Sequence, residues 1–239
     1  MPTPFDAQLV NGPFGDPALY VDLVQGGRAL LLDLGDLAAL RPRKLLRVSD
    51  VFVSHAHMDH WCGFDQLLRV VLGREKRLRL FGPPGMIDRV EHRLRGYTWN
   101  LLGGYANELV LEVSEVGEGG PEARAAFAIR SGFAREPLDP LPRDPLPIEG
   151  TALQVRTALL DHGIPCLAWA VLEPVHVNVW KNRLVELGLG AGPWLAELKR
   201  LALAGAPAAT PVVAESAAAP PKKSWRAAGP SRPGRRSVR

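Results

Sequence analysis

The sequence of 239 residues predicts an α/β fold. Three observations lead there. Short apolar runs read as buried strands, amphipathic segments of helical spacing lie between them, and glycine- and proline-rich turns punctuate the two.

The elements follow in chain order. Asn11-Gly12-Pro13 is a turn signal, Leu19 to Leu23 alternates apolar with polar, and Gly26-Gly27 marks a hairpin. Ala29 to Leu34 is apolar but for Asp33, suited to a strand inside a sheet, and it ends at Asp33-Leu34-Gly35-Asp36. Val51-Phe52-Val53 is a second buried strand that delivers the chain into Ser54-His55-Ala56-His57. Phe64, Leu67, Leu68, Val71 and Leu72 then recur at the spacing of one helix face. Arg77 to Phe81 reads as a strand, Gly82-Pro83-Pro84-Gly85 as a turn, and Ile87, Val90 and Leu94 as the buried face of another helix. Leu109 to Val113 is a further strand. Glu136 to Pro147 holds five prolines and is expected to be loop. Leu153, Val155, Thr157 and Leu159 alternate with polar or small residues, and Leu167 to Leu172 reads as the hairpin partner across Asp161-His162-Gly163. Asn178 is placed to cap a helix through Trp180, Leu184 and Leu187. Gly192-Pro193 starts another with Leu195, Leu198 and Leu201 on one face. Trp169, Trp180 and Trp194 fall at apolar-face spacings, so core packing is expected of them. Beyond about Ala204 the periodicity stops.

Composition narrows the function classes. No apolar run approaches the roughly 18 residues that a spanning helix needs, so no membrane segment is expected. Met1 to Val10 lacks a basic start followed by an apolar stretch, so no secretory signal is expected either. Cys62 and Cys166 form no CxxC and no disulfide framework, which fits a reducing cytoplasm. The net charge of +4 belongs to the end of the chain. Residues 220–239 carry seven Lys and Arg and no acid, which leaves residues 1–219 three charges negative. Such a tail can bind nucleic acid through phosphates, can be a solvated disordered segment, or can be the product of a shifted reading frame.

The segment that carries chemistry is His55-Ala56-His57-Met58-Asp59-His60. It packs three imidazoles and a carboxylate into six residues directly after an apolar strand, and these are ligands that zinc accepts. A tight turn at a strand end can aim His55 and His57 at one metal, and Asp59 and His60 at a second. Two metals about 3.5–4 Å apart can hold the attacking and leaving oxygens of a phosphodiester.

This segment resembles the HxHxDH signature of the metallo-β-lactamase superfamily, and the stretch from Ser54 to Phe64 is similar to that of the ribonuclease Z family. Asp33-Leu34-Gly35-Asp36 resembles that family's early strand-end motif, and Phe81 to Gly85 its glycine-proline turn. Leu160-Asp161-His162-Gly163, followed by Ala168-Trp169, resembles its later histidine segment, and Leu187 to Arg200 the stretch downstream. The match runs over roughly residues 8–200. The resemblance implies a metallo-β-lactamase αβ/βα sandwich and removal of the 3′ trailer from precursor tRNA with two zinc ions. It implies that His55, His57 and His162 hold the first zinc and that Asp59 and His60 hold the second. Asp59 would also accept a proton from the attacking water, while Asp33 and Asp36 would support the ligands from behind. A homodimer follows from the same resemblance. Manganese or iron are alternatives to zinc.

The sequence also departs from the family pattern. The metal-bridging aspartate of a Gly-Asp-Thr-like segment and a final zinc-binding histidine have no counterpart, since His176 is the only histidine after His162. The expectation is therefore a fold whose second half is incomplete, with a truncated or frameshifted domain at 1–203 and an Ala/Pro/Arg-rich disordered tail at 204–239. One zinc rather than two, and impaired hydrolysis, would follow. Two other readings stand beside this one. One is a superfamily hydrolase of another ester, thioester or phosphodiester, and the other is a non-catalytic protein that binds metal or RNA.

Overall fold

The computed structural model describes residues 5–24, 26–142, 146–173 and 177–214. The chain divides into two units, Met1–Glu173 and Pro174–Arg239. The basic residues from Lys222 onward, and His176, lie outside the described residues.

The first unit is built on a mixed sheet of eight strands in sequence order: β1 (Phe5–Leu9), β2 (Leu19–Leu23), β3 (Ala29–Leu32), β4 (Val48–Phe52), β5 (Lys76–Gly82), β6 (Leu109–Gly117), β7 (Gly120–Ala128) and β8 (Arg135–Leu138). Strands β3 to β6 are parallel, and the flanking pairs are antiparallel. Parallel neighbours need crossovers. These are α1 (Pro42–Leu45), then α2 (Met58–Trp61) with α3 (Phe64–Val71), then α4 (Met86–Arg95). Proline stands at the first helical position of α1, where its missing N–H costs nothing.

The period of two sorts the strand residues between two cores. Leu31, Val51 and Leu80 face the helices and pack with Phe64, Leu67, Val71, Ile87 and Val90. Their neighbours Leu30, Phe52 and Phe81 face the other way, toward a second sheet of β9 (Leu146–Pro147), β10 (Gln154–Asp161) and β11 (Pro165–Leu172), ordered β11-β10-β9. Phe52 stacks on Phe81 at 4.9 Å and meets Trp169 at 5.3 Å, which places this tryptophan in the core as expected. An ion-pair clip joins the sheets at their far end. Asp50, fully buried in β4, accepts from Arg28 at 2.9 Å and from Arg79 Nε at 2.6 Å. Those guanidiniums in turn donate to the carbonyls of Glu149 and Pro147.

Two expectations are corrected here. The proline-rich stretch from Glu136 to Pro147 is loop only in part, because Pro137 lies in β8 and Pro147 in β9. Both are edge strands, where a residue without an N–H can point its nitrogen away from the ladder. In the second unit, α5 (Lys181–Glu186) begins at Trp180 rather than Asn178 and has no side-chain cap, and Trp180 is 58% exposed instead of packed in a core. The other helix there, α6 (Trp194–Leu203), starts after Pro193 and half-buries Leu195, Leu198 and Leu201. No helix among the described residues is long and apolar enough to cross a membrane.

Candidate metal centre

The parallel strands end together, and the loops after β3 and β4 meet there. After Phe52 the chain makes one more sheet-like bond, Val53 N–H to the Phe81 carbonyl at 2.7 Å, and then leaves the sheet. His57 stays extended and opens the single turn of α2, which carries Asp59 and His60. This turn docks on the loop after β3 through main-chain bonds, Leu34 N–H to His60 carbonyl at 2.9 Å and Gly63 N–H to Leu34 carbonyl at 2.8 Å. The contact is close enough that a Cβ at Gly63 would stand 2.2 Å from the Gly35 carbonyl oxygen. Glycine at position 63 is therefore a condition of the loop's position.

His162 arrives from the other sheet. It sits in the tip between β10 and β11, where Asp161 Oδ1 accepts from Gly163 N–H at 2.9 Å and Gly163 takes φ +71°. Leu167 N–H donates to the Ser54 carbonyl at 2.9 Å, tying β11 to the residue before His55. Through this contact the hairpin tip reaches the first cluster.

His55, His57 and His162 bring one ligand nitrogen each to within 4.8 Å of one another. His55 Nε2 and His57 Nδ1 are 3.1 Å apart. Two nitrogens bound tetrahedrally at zinc distances would be about 3.3 Å apart, so this donor set fits a metal ion. His55 is 4% exposed, and burial, followed by the neighbouring His60 and His57, holds its pKa below the ordinary imidazole value. The neutral ring that ligation requires is thus favoured. His57 and His162 are open to solvent.

Asp59 and His60 form the neighbouring pair, with Asp59 Oδ2 3.6 Å from His60 Nε2 and the His60 ring 4.0 Å from that of His55. Asp33 stands behind them. It adopts φ +60°, a left-handed conformation that aspartate tolerates better than most residues. From there its Oδ2 lies 2.8 Å from His60 Nδ1. Asp36 is placed elsewhere, its Oδ1 accepting from Ala38 N–H at 2.9 Å and from Gln66 Nε2 at 3.1 Å, and these bonds lower its pKa. It touches none of the histidines in the described contacts.

Two further residues belong to the centre. Ser54 Oγ is 2.9 Å from His55 Nδ1, and Cys166 Sγ is 3.7 Å from the same atom. Burial, then Asp33, raises the Cys166 pKa, so the group is a thiol at neutral pH. Nothing in the local sequence marks Cys166, because the contact of β11 with Ser54 is what brings it to His55. Ser54 at least carries a positional signal, standing between a strand end and the first histidine.

No family model matches the chain. Ribonuclease Z of Deinococcus radiodurans is 37% identical over 205 residues, which cover 81% of this chain and 59% of that protein. Ribonuclease Z of Thermococcus sibiricus is 25% identical over 186 residues, covering 75% and 50% respectively. Among solved structures, the short form of human tRNase Z is similar at 17% identity and a TM-score of 0.40, covering 71% of this chain and 61% of that one. The chain thus spans between half and six-tenths of the curated relatives it matches. With the Deinococcus match over four-fifths of its length and the histidine cluster beside it, the chain is ribonuclease Z-like.

Proposed function

We propose that the chain is a metal-dependent phosphodiesterase that acts on RNA, with the 3′ end of precursor tRNA as its substrate. The observation that carries this reading is the convergence of His55, His57 and His162, drawn from two sheets onto one point. The relatives named ribonuclease Z support the substrate class.

In this reading His55, His57 and His162 hold the first metal, with zinc the ion favoured by three imidazoles, and Asp59 and His60 face the second. A zinc held there would supply hydroxide at neutral pH and positive charge for the phosphoryl oxygens. The protein's own part is orientation and proton handling. His57 and His162 are exposed, so the cluster is open to solvent on that side. Asp59 is half-exposed beside His60 and can take the proton of the attacking water. Among the described residues, Asp59 and His60 would be the two to hold a second metal, fewer than the four ligands zinc prefers. We therefore expect the 239-residue polypeptide to hold the first metal more tightly than the second and to cleave RNA slowly.

The test is metal content per chain together with trimming of a precursor tRNA, for wild type, Asp59→Asn and His162→Ala. His162→Ala should lose the first metal, and Asp59→Asn should keep it while losing whatever cleavage the wild type shows. A wild-type chain that binds no metal would sink the reading. Fast trimming by the wild type would remove the expectation of slow turnover, and selective thioester cleavage would retire the RNA substrate.

A further inference from the structure

The geometry points to Ser54 as a positioning residue that fixes which ring nitrogens His55 and His60 present to the metal, an inference that rests on the metal-centre reading above. Ser54 makes five polar contacts. Its N–H donates to Asp33 Oδ1 at 2.6 Å, and its carbonyl accepts from Leu167 N–H at 2.9 Å. Its hydroxyl oxygen is 2.9 Å from Asp33 Oδ2, 2.9 Å from His55 Nδ1 and 3.2 Å from His60 Nδ1.

Counting protons decides the direction of each bond. A serine hydroxyl has one hydrogen, and an ionised carboxylate can only accept. If that hydrogen went to His55 Nδ1, Ser54 Oγ and Asp33 Oδ2 would face each other at 2.9 Å as two bare acceptors. The hydrogen therefore goes to Asp33, and Ser54 Oγ accepts from His55 Nδ1–H. His60 Nδ1 lies between the same two oxygens, 2.8 Å from Asp33 Oδ2 and 3.2 Å from Ser54 Oγ, so it too carries a hydrogen. Both rings are left with the Nε2 lone pair free. For His55 this is the nitrogen that faces His57 Nδ1, and for His60 it is the nitrogen beside Asp59. Asp33 accepts three hydrogens in this arrangement, and Ser54 relays its charge to His55, which Asp33 does not itself contact in the described bonds. Ser54 also links the sheets, because the same residue accepts the β11 amide that brings the His162 hairpin to the cluster.

The test reads the tautomers directly. In metal-free wild-type protein at about pH 8, above the ordinary imidazole range, long-range nitrogen–proton correlation spectra should show His55 and His60 in the Nδ1–H form. Ser54→Ala should turn His55 into a mixture of tautomers and weaken zinc binding, measured by chelator competition, by about 10–100-fold. Ser54→Thr, which keeps the hydroxyl, should restore both. An Nε2–H form of His55 in the wild type overturns the inference without recourse to any variant. So does a Ser54→Ala protein that binds zinc like the wild type, or a loss that threonine does not restore. Failure of the metal-centre reading has a different signature, a wild-type chain with the expected tautomers that takes up no zinc.

Discussion

The close approach of Gly63 to the loop after β3 has a measurable cost attached. Gly63 has an ordinary helical φ of −76°, so an alanine there meets no backbone strain, but its Cβ would stand 2.2 Å from its nearest neighbour, the Gly35 carbonyl oxygen, and 2.8 Å from Leu37 Cγ. The neighbour is main chain and cannot swing aside. Gly63→Ala should therefore destabilise the fold by about 1–3 kcal/mol, seen as a lower urea midpoint, and should displace the turn that carries Asp59 and His60. An unchanged midpoint would show that the two loops are not in register contact. At this scale the sequence was informative where ligands are contiguous. His55, His57, Asp59 and His60 announce themselves because six residues carry four donors. Ser54 carries only its position before the first histidine and Cys166 no signal at all, since the one acts through Asp33, 21 residues away, and the other meets a histidine 111 residues distant.

Among the elements, legibility followed the strength of the period. The helix of Phe64–Val71 buries Phe64, Leu67, Leu68 and Val71, the residues its spacing marked. Strand β7 gave no such signal, because Gly-Pro-Glu-Ala-Arg-Ala-Ala-Phe-Ala lacks the branched residues that favour strands. It is a strand because β6 offers it a ladder and because its Arg124 meets Glu112 there. Glu112 is also held by Arg77, at 2.5 and 2.7 Å, so three strands share one carboxylate. Burial, the largest influence, pushes the Glu112 pKa up, and the two guanidiniums together outweigh it, leaving the value below that of an ordinary glutamate. A depressed carboxylate adds stability that is complete above its unfolded pKa and is lost as pH falls through the folded one. Wild type should accordingly lose stability more steeply than Glu112→Gln below about pH 4.3, in urea unfolding followed across pH. Parallel curves for the two proteins would mean that the guanidiniums do not hold this charge.

Across the whole molecule, the centre is a joint between two sheets that were only half legible as partners. His55 and His57 hang from the end of β4 in the eight-stranded sheet, and His162 from the hairpin of the three-stranded one. The alternation over Leu153 to Leu159 revealed that hairpin, but nothing in it specified the facing surface, which Phe52 and Phe81 supply from the first sheet. A metal held by all three histidines would bridge the sheets, and its binding free energy would become folding free energy, because the unfolded chain keeps no such site. At a free concentration a thousandfold above its dissociation constant, one such ion stabilises by about 4 kcal/mol. Zinc should therefore raise the urea midpoint of the wild-type chain, and a chelator should reverse the gain. His162→Ala should cut most of that gain while leaving the metal-free midpoint near that of the wild type, since the side chain is exposed. The same zinc-dependent gain in His162→Ala would mean that the ion sits on the first sheet alone, and the hairpin would then have no part in the centre.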